Sequence, residues 1–270
     1  MIHREHQGTA VPALGLGTWE LTGDACARAV EHALALGYRH LDTAQGYGNE
    51  AEVGAGLRRS GVPRDQVFMT TKVRPRNFEP ALLGPSVEGS LAALAVDHVD
   101  LLLLHWPRTD VPLEDTLGAL HAVRERGLTR HVGVSNFAPS WVARAVATGP
   151  IFTNQVEYHP FLSQEALLRR AEDLDLLLTA YAPVARGAVD DDPVLQAIGA
   201  AHGKSPAQVA LRWLVQQPRV LAIPKAASPE HQRANLEIFD FALSDDEMAR
   251  IHALDRGMRL VDDVDVDWER

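Results

Sequence analysis

Cysteine is nearly absent: the 270-residue chain has one, Cys26. That excludes an internal disulfide, and with it a fold held by crosslinks. A lone thiol suits a reducing compartment and reads as a small buried filler. Basic charge is in the minority, with 26 Lys and Arg against 36 Asp and Glu, a formal net charge of −10. With no Lys/Arg block, an electrostatic nucleic-acid surface is excluded. No apolar run approaches the roughly 18 residues of a membrane span. The first residues, "MIHREHQGTA", carry charges where a signal peptide needs an apolar segment, so a cytoplasmic protein is expected. Twelve histidines are present, but no H-E-x-x-H, H-x-H or Cys/His cluster, so no metal site is expected. His3, His6, His98 and His131 read as scattered surface or loop residues. There is no G-x-S-x-G, and "GVSNF" matches it only superficially. The run "ALGLGTW" is no dinucleotide fingerprint, because Glu20 stands at its third glycine position. The acidic end "VDDVDVDWER" reads as a solvated tail.

What is present is alternation. Hydrophobic residues make up 46% of the chain, enough for a large core. They fall in short runs, each followed by an amphipathic stretch. Strands are expected in "ALGLGTW", "YRHLDT", "VFMTTKV", "VDLLLLHW", "RHVGVSN", "FTNQVEY", "LLLTAYAP" and "RVLAIPK". Helices are expected over 24–36, 49–59, 80–94, 113–126, 140–147, 164–174, 193–201, 206–217, 229–237 and 244–254. Repeated strand–helix units argue for a parallel sheet. Eight of them fit one closed (β/α)8 TIM barrel with two extra helices, as a single domain over 1–270. An open doubly wound sheet is the alternative.

The strand ends are conspicuously polar. Asp42 ends the second expected strand, Lys72 the third, His105 the fourth, Ser135 and Asn136 the fifth. Gln155 lies in the sixth, Tyr181 near the end of the seventh, and Lys225 ends the eighth. In a parallel barrel these ends share one face, the face that carries active sites. The leucines of "VDLLLLHWP" then fill the wall, and His105 emerges at its mouth. Taken singly, each residue has a structural explanation as a cap, a solvated charge or a satisfied histidine. Together they gather an acid, a base, an imidazole and amides.

The motifs "GLGTW", "GYRHLDTAQGYGNEAEVG", "TTKV", "LLLLHWP", "VGVSNF", "NQVEYHP" and "IPK" occur in this order. In them the chain resembles the aldo-keto reductase family, and its compact length and ending resemble the bacterial 2,5-diketo-D-gluconate reductase branch. The resemblance implies a catalytic set of Asp42, Tyr47, Lys72 and His105, and NAD(P)H-dependent reduction of aldehydes and ketones to alcohols. Tyr47 would be the proton donor. Lys72 would lower its pKa from the usual 10 or so, Asp42 would hold Lys72, and His105 would orient the carbonyl. Ser135, Asn136 and Gln155 would bind the nicotinamide carboxamide, and Tyr181 would stack on its ring. Lys225, Ser228, His231 and Asn235 would lie at the adenosine end, where Ser228 also reads as a helix cap. Trp19 and Trp106 would wall the substrate pocket. Arg74, where many members carry a bulky aromatic, would grip a carboxylate or polyhydroxy substrate.

Most members place an arginine at His231 and a glutamate at Ala234. NADPH is therefore expected as cofactor, with NADH also used. The expected partner is a small polar carbonyl compound or keto-sugar acid, met by a monomer. Two alternatives come from other classes. One is a cofactor-binding, redox-sensing regulatory subunit with vestigial reductase activity. The other is an isomerase or lyase using Lys72 as a Schiff base, which the Tyr–Asp–His set disfavours.

Overall fold

The computed structural model describes residues 1–262 and 268. Eight parallel strands form one sheet: β3 (Leu16–Gly17), β4 (His40–Asp42), β5 (Phe68–Val73), β6 (Val99–Leu104), β7 (Thr129–Ser135), β8 (Thr153–Glu157), β9 (Leu177–Tyr181) and β10 (Val220–Ala222). Their spatial order follows the chain order. The two ends of the sheet meet, because Gly15 N–H donates to Ala222 O at 2.9 Å and Ala222 N–H to Ala13 O at 2.8 Å. The sheet is thereby a closed (β/α)8 barrel. Every residue of β6 is buried. A parallel strand covered on both faces reads as a continuous apolar run rather than an alternating one.

Helices follow the strands: α1 (Gly23–Leu36), α2 (Glu50–Ser60), α3 (Pro80–Leu94), α4 (Leu113–Glu125), α5 (Pro139–Thr148) and α6 (Glu165–Asp173). After β9 come α7 (Pro193–His202) and α8 (Pro206–Gln216), and after β10 come α9 (Pro229–Leu236) and α10 (Asp245–His252). These include the two helices expected beyond the eight-unit repeat. Their starts are chemically marked. Ser205 and Ser244 each cap a helix in a reciprocal pair with Gln208 and Glu247, and Ser228 caps α9. Such pairs satisfy backbone N–H groups that have no partner in the helix.

Two expectations need correction. The first strand is not 13–19 but Leu16–Gly17, since the chain there turns toward α1. The charged N-terminus is not a loop. It forms a hairpin, β1 (His3–His6) with β2 (Thr9–Pro12), turned at Gln7 and Gly8 with positive φ at both. That is the turn geometry a two-residue hairpin favours. His6 is buried, its ring centroid 5.0 Å from that of Phe152. His131 lies 4.4 Å from the same ring, with Nε2 2.8 Å from Thr9 Oγ1. Both are structural contacts between hairpin and barrel. Only two residues of the acidic end, Val261 and Asp262, and the separate Trp268 lie within the described residues, so the tail expectation falls largely outside them.

Candidate active site

The polar strand ends converge. Lys72 is the fifth residue of β5 and fully buried. Its ammonium donates to Asp42 Oδ1 at 2.5 Å, to Thr43 O at 2.9 Å and to Tyr47 Oη at 3.1 Å. Asp42, on the neighbouring β4, has its other oxygen occupied: Gln155 Nε2 donates to Oδ2 at 2.8 Å. A buried ion pair is sustained only when its remaining lone pairs and protons are also met, and this one is met from three strands. Burial pulls the Lys72 ammonium down. The Asp42 carboxylate and Tyr47 phenol outweigh it, and the lysine titrates above its ordinary value.

Tyr47 ends a 3-10 turn, Gln45–Tyr47, that leaves β4. The structure corrects one electrostatic expectation here. Lys72 does favour the phenolate, but burial is the larger effect, and the phenol titrates above its ordinary value. Tyr47 therefore carries its proton at neutral pH. Its ring meets that of His105 edge-on, with centroids 5.5 Å apart. Burial, seconded by the Lys72 charge, pushes His105 down to about 3. Its imidazole is neutral at physiological pH. Among the described residues nothing hydrogen-bonds either ring nitrogen, so a polar group beside Tyr47 can be met there.

The ends of β7, β8 and β9 form a second, adjoining set. Ser135 Oγ donates to Gln155 O at 2.9 Å, and Asn136 Nδ2 to His105 O at 3.1 Å. Tyr181 Oη donates to Asn136 Oδ1 at 2.8 Å. Asn136 has φ +63°, a left-handed conformation that asparagine tolerates better than most residues. Amide donors and acceptors beside a half-buried aromatic ring are the groups a carboxamide on a flat ring requires. Gln155 Oε1 has no hydrogen-bond partner among the described residues. The set fits a nicotinamide.

Further out, Lys225 is exposed beyond β10, and Ser228 Oγ accepts from His231 N–H at 3.1 Å as the cap of α9. His231 is exposed. Asn235 is buried and faces the Tyr38 hydroxyl from the inner side of α9. Trp19 and Trp106 lie at the rim. Trp19 is 41% exposed and sits under the Arg186 guanidinium at 4.9 Å. Arg74 is turned toward the Tyr47 turn, its Nη2 donating to Gln45 O at 2.9 Å.

Three polar residues that carry this geometry were not singled out from the sequence. Asn49 donates to Thr18 O and Leu21 O and accepts from Thr43 Oγ1, tying the loops after β3 and β4. Gln45 joins the turn to α3 and to Arg74. Glu157, fully buried at the end of β8, accepts from His159 Nε2, Leu260 N–H and Val261 N–H. All three lie inside motifs quoted above, but nothing in their spacing reveals partners so far along the chain. Among the described residues no three His, Cys, Asp or Glu side chains cluster to hold a metal. No helix there is long and apolar enough to cross a membrane.

A closed parallel barrel with a buried Asp–Lys–Tyr chain and a neutral histidine at its mouth defines a class of carbonyl oxidoreductases. A sequence model of the aldo/keto reductase family matches residues 13–256, and the chain belongs to that family. Among solved structures it resembles a protein assigned as 2,5-diketo-D-gluconic acid reductase B. The TM-score is 0.95 and the identity 48%, over 97% of this chain and 95% of that one. It is 39% identical to morphine 6-dehydrogenase of Pseudomonas putida, over 97% of this chain and 94% of that protein. It is 38% identical to an aldo-keto reductase of Mycolicibacterium smegmatis, over 94% of each chain.

Proposed function

We infer that the chain reduces small polar aldehydes and ketones, keto-sugar acids among them, to alcohols, with NADPH preferred and NADH also used. The observation that carries the reading is the Lys72 ammonium, hydrogen-bonded at once to Asp42 and to the Tyr47 hydroxyl. The likeness to a protein assigned as 2,5-diketo-D-gluconic acid reductase B supports the keto-sugar acid class.

When bound, the reduced nicotinamide supplies the hydride, two electrons and a proton, to the carbonyl carbon. Ser135, Asn136 and Gln155 would hold its carboxamide, and Tyr181 would face its ring. Lys225, Ser228, His231 and Asn235 would serve the adenosine end. His105 donates a hydrogen bond to the substrate oxygen, which only a protonated ring nitrogen can do, and orients it toward Tyr47. As negative charge develops on that oxygen, Tyr47 transfers its proton there. The phenolate left behind is stabilised by Lys72 until water returns the proton. A preorganised ammonium in a buried site stabilises such charge far better than water does. Trp19 and Trp106 form apolar walls. The chain would act as a monomer, and in the cytoplasm, a reducing compartment that suits its single free thiol.

The test is a panel of neutral and carboxylated carbonyls, offered with NADPH and with NADH, followed by loss of reduced-nicotinamide absorbance. NADPH consumption with stoichiometric alcohol is expected. Cofactor binding without turnover of any carbonyl would favour a regulatory protein instead.

A further inference from the structure

The Tyr47 turn is held by a contact that its neighbours Asp42 and Lys72 do not supply. Gln45 begins the turn, and Arg74 follows Val73, the last residue of β5. Each reaches the other's backbone. Arg74 N–H donates to Gln45 Oε1 at 3.1 Å, while Arg74 Nη2 donates to Gln45 O at 2.9 Å. Asn77 Nδ2 donates to the same Gln45 Oε1 at 3.0 Å. On its other side Gln45 Nε2 donates to Ser86 O, Ser86 Oγ and Ser90 Oγ of α3. Gln45 is 5% exposed, so these bonds form out of water, where breaking one leaves a polar group unmet.

The two segments so joined carry the proton donor and its cation. Tyr47 is two residues beyond Gln45, and Lys72 two residues before Arg74. We propose that Gln45 and Arg74 form a reciprocal clamp that sets the Tyr47–Lys72 distance, and that Arg74 is a positioning residue rather than a substrate anchor. The inference rests on the reading above that Tyr47 transfers the proton. Arg74 reaches the reaction only through the turn. The groups facing the Tyr47 phenol are Lys72 and Asp42 below it and His105 and Tyr181 across the mouth. The carboxylate acting on Arg74 is Glu50 at the start of α2. Removing the guanidinium lifts its charge from Glu50, whereas removing the Gln45 amide changes no charge, so a Tyr47 shift common to both variants reports the turn itself.

Arg74→Met keeps the stem and removes the donor. On a half-buried side chain it leaves folding intact, and Gln45→Leu breaks the same clamp from the other side. Turnover is expected to fall about tenfold or more, equally for glyceraldehyde and for glucuronate, with nicotinamide affinity unchanged, because one charge-assisted hydrogen bond is lost. Tyr47 ionisation, read as phenolate absorbance of each protein minus its Tyr47→Phe counterpart, is expected to move to higher pH as Lys72 loses contact. That titration needs no substrate. It decides the clamp even if the native chain reduces no carbonyl, an outcome that would overturn the proposed function alone. An unmoved titration would overturn the clamp. So would a loss confined to glucuronate, which would make Arg74 a carboxylate anchor.

Discussion

Lys72 is a full charge with no exposed surface, and its surroundings decide what the neighbouring phenol can do. Asp42, Lys72 and His105 were legible because family motifs place them at strand ends, and Tyr47 because a motif places it in the loop after the second strand. The balance of forces on them was not legible. Whether burial or the ammonium dominates the Tyr47 phenol depends on how much water reaches it, and no motif encodes that. Gln45 and the role of Arg74 were opaque for a related reason: they lie on separate loops that the pairing of β4 with β5 brings together. His231 is exposed in the first turn of α9 beside the capping Ser228, and on the proposed reading it would face the adenosine end. A histidine there lacks the permanent charge and forked donors of an arginine. His231→Arg should tighten NADPH by about tenfold or more and leave NADH nearly unchanged, as one charge-assisted hydrogen bond to a phosphate predicts. Dissociation constants for the two cofactors measure it. Equal tightening of both would remove His231 from the phosphate.

At the scale of elements, the strand–helix alternation was plain from apolar runs and breakers, and most boundaries fell within a residue or two. What the pattern hid were contacts between distant segments. The hairpin reads as charged coil because His3, Arg4, Glu5 and His6 mask its pairing. The C-terminal segment is similar, held to the barrel rim by backbone bonds. Arg256 N–H and Met258 N–H donate to Phe161 O, and Leu260 and Val261 donate to the Glu157 carboxylate. Phe161 N–H also donates to His159 Nδ1, which leaves His159 its Nε2 proton to give Glu157. Glu157→Leu would strand three donors at once. Unmet buried donors cost about 1–3 kcal/mol each, so a loss of roughly 3 kcal/mol is expected. Denaturant unfolding gives the change in stability, and faster amide exchange at Leu260 and Val261 locates it. Unchanged exchange there would show that the segment is held by other contacts.

The whole molecule is a barrel whose rim does chemistry and whose opposite end is closed by the hairpin. That closure is sensitive to acid. Burial lowers the pKa of His6 and His40, and brings His131 from 6.5 down to about 4. Between those two values the unfolded chain takes up a proton on His131 that the folded chain refuses. Proton uptake favouring the unfolded state means that stability is fully present above the ordinary histidine value and declines as pH falls through the window. Melting temperatures should therefore drop between roughly pH 7 and pH 4, and His131→Gln should flatten the drop. An equally steep drop in the variant would place the acid sensitivity elsewhere.

The central claim is that Tyr47, held against Lys72, gives its proton to the carbonyl oxygen. Tyr47→Phe removes one oxygen and leaves Ser135, Asn136, Gln155 and Tyr181 in place. Turnover of this variant, measured alongside cofactor affinity from nicotinamide fluorescence, tests the claim most directly. A fall of about 10²–10⁴ in turnover with unchanged cofactor affinity is the predicted result. Near-native turnover would contradict it.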